Sequence, residues 1–309
     1  MASSKSIKNR IRSTKSIKQI TKAMEAVSAV KMRKSEQVAI HARPYALAAL
    51  EILRGVTAKL DTDFSTLSPL LSVSFNKPIC LVIVTSDKGL AGSFNTNVLR
   101  KALAFLKENS DTEIIAVGKK GRDFLKRRGF NVIESFTGAG DFTELSETSP
   151  VAEIIKKGFT EKHWSAVHLL YTNFLSALKQ EVTNRRILPF DFESLSAIVD
   201  GITPTRGKYA NMPEVLGKDI EKSSAYVFET SPKEVIDELL PALLEIEIYH
   251  AVLEGNASEH SSRMIAMRNA SDNAGELIDA LTLQYNKARQ AQITKELTEI
   301  TAGASALES

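Results

Sequence analysis

The sequence predicts an α/β protein: a long antiparallel coiled coil of the N- and C-terminal helices plus a central Rossmann-like, mainly parallel sheet domain. Three observations carry that reading. Apolar residues recur at spacings of three and four at both ends of the chain. Between the ends, short β-branched apolar runs alternate with glycine turns and helical stretches, the order of a sheet covered by helices. Neither terminal helix can bury its seam alone, so each needs the other. The expected divisions are 1–68 for the N-terminal helix, 69–230 for the sheet domain and 231–309 for the return helix.

Residues 257–302 contain no proline and a single interior glycine, Gly275. Met264, Met267, Ala270, Ala274, Leu277, Leu281, Gln284, Ala288 and Ala291 trace a narrow seam whose alanines admit a partner backbone at close range. Arg263, Arg268, Asp272, Glu276, Lys287 and Arg289 flank it with mixed charge. At 1.5 Å per residue this helix would be roughly 70 Å long, about twice the span of a domain of this size, so it is expected to project. Near its end the apolar phase moves to Ile293, Leu297, Ile300, Ala304 and Leu307.

At the other end Ile7, Ile11, Thr14, Ile17, Ile20, Met24 and Val27 keep the same spacing, surrounded by lysine and arginine. The helix is expected to run through Val38 to Pro44, bend where the ring removes a hydrogen bond, and resume with Tyr45, Ala49, Ile52, Val56 and Leu60.

The middle changes character. Residues 78–85, Pro-Ile-Cys-Leu-Val-Ile-Val-Thr, read as a strand covered on both faces. A glycine-containing turn from Asp87 to Asn95 follows, then a helix over 96–107. Strand and helix alternate again at 113–117 and 121–128, at 131–135 and 150–157, with a further strand at 166–171. Residues 181–189, with Arg185, Arg186 and Pro189, have the charge and proline of an edge strand. An irregular connection over 191–222 and a short strand at 225–229 lead to Ser231-Pro232, an N-cap followed by a first-turn proline. Pro241 is placed to kink the helix that begins there.

Charge is balanced overall, with 40 basic and 37 acidic residues and a net charge of +3, which excludes a global nucleic-acid signature. Residues 1–34 nevertheless hold ten Lys or Arg and one acid, Glu25, so this end faces something negative or lies in solvent. The acid-poor, serine-rich start also fits an organelle transit peptide, but the helical pattern runs through it without a break. The single cysteine, Cys80, in an apolar run, reads as a buried thiol in a reducing compartment. The apolar middle offers no stretch with the roughly 18 to 20 residues of a membrane span.

Motifs for chemistry are sparse. The turn from Asp87 to Asn95 invites an anion site, since glycine turns before helices present N–H groups, yet it matches neither dinucleotide nor P-loop fingerprint. Gly118-Lys-Lys-Gly121 is a weaker version of the same signal. The five histidines, His41, His163, His168, His250 and His260, have no metal-ligand spacing, and no serine lies in a nucleophile elbow. Carboxylate pairs such as Glu245 with Glu247 and Glu296 with Glu299 read as solvated helix charge. No catalytic residue, cofactor or metal is therefore expected on this chain.

The two ends carry a resemblance. Residues 7–24, Ile-Lys-Asn-Arg-Ile-Arg-Ser-Thr-Lys-Ser-Ile-Lys-Gln-Ile-Thr-Lys-Ala-Met, with Lys31-Met-Arg-Lys34, resemble the opening of the γ subunit of F-type ATP synthases. Residues 258–268, Asp272-Asn273 and 285–300 are similar to the C-terminal part of the same family. The resemblance implies a rotor shaft inside a ring of three α and three β subunits, one copy per complex, coupling proton flow through a membrane ring to ATP synthesis. It implies a sheet domain near the ε subunit and membrane c-ring, at the cytoplasmic face of a bacterial plasma membrane, with ATP bound by the ring. By position, Arg289, Gln290 and Thr294 resemble residues that meet a catch loop of β, and Met24 and Arg263 resemble residues near its acidic lever. Tyr226, Phe228 and Glu229 fall where the family contacts ε and the c-ring. The chain departs from the family at Ala91, Ser93 and Pro241, and it lacks the cysteine-bearing insertion of chloroplast relatives, so no thiol switch is implied.

Two other readings stand beside this one. The alternating sheet and glycine turn fit a nucleotide-dependent enzyme with a helical arm, and the basic start fits an RNA-binding arm.

Overall fold

The computed structural model describes residues 4–57, 68–138, 140, 143–190 and 231–308. The expected strand at 225–229 and the connection over 191–222 lie outside them. The chain divides into two units, one of residues 1–28 with 263–309 and one of residues 29–262.

In the larger unit a five-stranded sheet has the order β3-β2-β1-β4-β5. Its strands are β1 (Ile79–Val84), β2 (Thr112–Val117), β3 (Val132–Phe136), β4 (Ala166–Phe174) and β5 (Gln180–Leu188). The first four are parallel and β5 is antiparallel at the edge, as the alternation and the charged sequence of 181–189 predict. Central β1 is apolar and β-branched, and its residues from Cys80 onward are buried on both faces.

Helices α2 (Phe94–Glu108) and α3 (Lys119–Arg127) cover one face through Val98, Leu99, Leu106 and Leu125. On the other face lie α4 (Leu145–Thr160) and the first part of α5 (Pro232–Glu308), which lays Ile236, Leu240, Leu244, Ile248 and Val252 over Val82, Ile115, Leu169 and Ile187. Helix α4 starts before Pro150, because the Glu147 carboxylate accepts the Glu144 backbone N–H at 2.8 Å and caps the helix there. The proline then falls in the second turn, costing one backbone bond. The Ser231 hydroxyl accepts the Glu234 N–H at 3.3 Å, the predicted N-cap of α5.

Both terminal segments are single helices, α1 (Ser4–Thr57) and α5, with Pro44 and Pro241 inside them. Their outer parts form the smaller unit, an antiparallel coiled coil with Lys18 lying over Gly275. Its seam matches the predicted one in part, with Ile7, Thr14, Met267, Ala274 and Leu281 buried and Ile11, Met24, Met264, Ala270 and Ala288 half-buried. On α1 the buried positions are Ile7, Thr14, Thr21 and Ser28, a seven-residue repeat, while Ile17, Ile20 and Val27 are 51%, 59% and 53% exposed. On α5, Met267, Ser271, Ala274 and Leu281 are buried and Ile278, Tyr285 and Ala288 half-buried, whereas Leu277, Gln284 and Ala291 face outward. The hydroxyls of Thr14, Thr21 and Ser28 each donate to the carbonyl four residues back, at 2.9, 3.0 and 2.7 Å. They are satisfied within their own helix, which lets small polar residues occupy an interface.

Candidate partner-binding surface

A two-helix rod normally turns its large apolar side chains inward. Here Ile17, Ile20, Val27, Leu277, Leu283, Ile293, Leu297 and Ile300 are exposed on the coiled-coil unit, while threonine, serine and alanine fill much of the seam. With Lys18 level with Gly275, the first turn of α1 lies opposite roughly residue 289, given equal rise along both helices. Beyond it no described helix faces α5, and residues 289–302 are exposed throughout. A lone helix of that length is marginal in water. This surface is built to be covered.

Basic charge lies alongside. Lys5, Lys8, Arg10, Arg12, Lys15 and Lys18 are all exposed on α1. Arg289, Gln290 and Thr294 are exposed on the single-helix part of α5, the Thr294 hydroxyl donating to the Gln290 carbonyl at 3.0 Å. Met24 is half-buried beside the seam. Arg263, expected on the surface, is only 7% exposed. Tyr226, Phe228 and Glu229 lie outside the described residues.

The turn after β1 bears on the weaker anion signal, that of Gly118-Lys-Lys-Gly121. The Asp87 carboxylate accepts the Lys119 N–H at 2.7 Å, at the start of α3, and the Gly138 N–H at 2.6 Å, beyond β3. The place a phosphate would take at that helix end is filled by the chain's own carboxylate. Thr85 completes the tie: its hydroxyl donates to the Val117 carbonyl at 3.2 Å and accepts the Gly121 N–H at 2.9 Å. The loops following β1, β2 and β3 are thus sewn together. Cys80 is fully buried, and burial raises its thiol far above the ordinary range, so it is no nucleophile.

One expectation about carboxylates is corrected. Glu296 and Glu299 are exposed, but Glu245 is hydrogen-bonded to Ser149 of α4 and Glu247 is 4% exposed against the sheet. Two residues apart on a helix, they face different neighbours about 200° apart, which sequence alone does not place. Among the described residues no group of three or more His, Cys, Asp or Glu could hold a metal ion.

Comparison with known proteins decides the family. A family model described as ATP synthase matches residues 3–307. The ATP synthase gamma chain of Roseiflexus castenholzii is 40% identical over 99% of both chains, and that of Pelotomaculum thermopropionicum is 39% identical over the whole of both. The chain belongs to the ATP synthase gamma chain family. Solved structures share the fold: the rotor of Euglena gracilis mitochondrial ATP synthase has a TM-score of 0.60 at 18% identity, covering 94% of this chain and 98% of that one. A central stalk and c-ring structure from Tetrahymena thermophila mitochondrial ATP synthase has a TM-score of 0.58 at 24% identity, covering 82% and 99%. As a gamma chain, the molecule is a subunit of an ATPase complex, and among its described residues no helix is long and apolar enough to cross a membrane.

What sequence reading missed is the outward face of Ile17, Ile20, Val27 and Leu277. Its signal was present in the strict seven-residue repeat of Ile7, Thr14, Thr21 and Ser28, which hydrophobicity alone passes over.

Proposed function

We propose that this chain is the central rotor of an F-type ATP synthase, its coiled coil turning inside a ring of three α and three β subunits. One copy per complex transmits proton-driven rotation of a membrane c-ring to the catalytic β subunits, at the cytoplasmic face of a bacterial plasma membrane. The carrying observation is the outward apolar surface of the coiled-coil unit, which suits a sleeve that surrounds a narrow rod on all sides. The exposed cations of α1 add attraction toward acidic β segments without locking them, because exposed pairs are weak and exchange readily.

In this reading Arg289, Gln290 and Thr294 meet a loop of β, Met24 and Arg263 lie near its acidic lever, and Tyr226, Phe228 and Glu229 meet ε and the c-ring. The chain has no catalytic site of its own and takes no cofactor, and ATP binds in the ring. The competing reading as a nucleotide-dependent enzyme rests on the alternating sheet and the turn leading into α2, and micromolar binding of ATP or NAD to the purified chain would favour it.

The test is reconstitution with α, β and the membrane sector. Ile20→Asp is expected to leave the purified chain folded by circular dichroism and to abolish co-purification with α and β. Arg289→Glu is expected to assemble and to lower coupled ATP synthesis severalfold. Full assembly of the first variant and normal synthesis by the second would remove the basis of the assignment.

A further inference from the structure

A buried ionisable cluster lies between the sheet edge and α5, and the rotor reading makes no use of it. Glu247 of α5 is 4% exposed, and neither carboxylate oxygen has a hydrogen-bond partner among the described residues. Arg185 of β5 places its Nη1 3.7 Å from Glu247 Oε1, an ion-pair distance too long for a hydrogen bond. Tyr171 of β4 is buried beside them, and its hydroxyl is held neutral by burial and then by the nearby Glu254. Glu254 stands two turns along α5, with His250 Nδ1 3.6 Å from its Oε1. From α4, Glu144 and Glu147 act on Tyr249, and Ser149 binds Glu245.

A buried carboxylate needs hydrogen bonds as well as a counter-charge to remain ionised, and a single distant guanidinium supplies only the second. We propose that Glu247 is a proton-gated latch: protonated, it stays buried and holds β5 against α5, and on losing its proton it leaves the interface and loosens that edge of the sheet.

The sign follows from the environment. Burial, only partly opposed by Arg185, pushes the Glu247 carboxyl up from 4.5 to about 8. The closed form thus holds a proton that the opened form releases. Closure is at full strength below the ordinary glutamate range and is lost as pH rises through about 8.

Hydrogen exchange on the full-length chain tests this. After correction for intrinsic rates, amides of residues 180–188 and 244–251 should lose about tenfold in protection between pH 7 and pH 9, while β2 and β3 keep theirs. Glu247→Gln should abolish that loss. Arg185→Gln, which removes the one group among the described residues that favours the charged form, should move the loss to higher pH. A wild-type profile flat across this range, an equal loss throughout the sheet, or an unchanged profile in Glu247→Gln overturns the proposal. If Glu247→Gln fails to fold, the Arg185→Gln shift decides, and no shift or a downward one overturns it.

Discussion

Gly118 shows how narrowly the sheet unit is specified at one residue. Its φ is +100°, and a Cβ there would sit 2.0 Å from the Thr85 carbonyl oxygen, so both the backbone and the space demand glycine. Gly118→Ala should destabilise this unit by about 3 kcal/mol or more, read as a lowered midpoint in chemical denaturation. The glycine itself was plain in the sequence, but its reason was not: Gly118-Lys-Lys-Gly121 resembled an anion loop, and only the fold brings Asp87 to Lys119 across 32 positions. Glu247 was misread for a related cause. Among neighbouring charges it looked solvated, and its burial depends on which face of α5 meets β5.

Elements were more legible than the contacts between them. The strands, the antiparallel edge and the N-cap at Ser231 follow from β-branched runs, charge and local capping chemistry, which act within a few residues. The coiled-coil register follows only in part, because isoleucine does not always mark the inside of this rod. Ile17 and Ile20 are exposed while Thr21 is buried, so apolarity alone does not set the seam. Two substitutions separate these roles. Leu281→Ala, which empties a buried seam position, should cost about 2 to 4 kcal/mol. Thr21→Val should change stability by less than about 1 kcal/mol, since the lost hydroxyl bonded only to its own helix. Thermal unfolding of the purified chain measures both, and a reversed ranking would contradict the observed register.

Across the whole molecule, the fold class and family were accessible from sequence because both terminal patterns run for many turns and match along nearly the full length of relatives. The exposed isoleucines of the rod matter for the chain on its own. Exposed isoleucine and leucine on the rod give free copies a surface through which to associate as their concentration rises. Light scattering should show the purified chain growing in apparent mass from micromolar levels upward, and the triple change Ile17→Ser, Ile20→Ser, Val27→Ser should suppress that growth. On the proposed rotor reading, a cell making this subunit has reason to keep its supply below that of its partners, since any surplus would be lost to clumping.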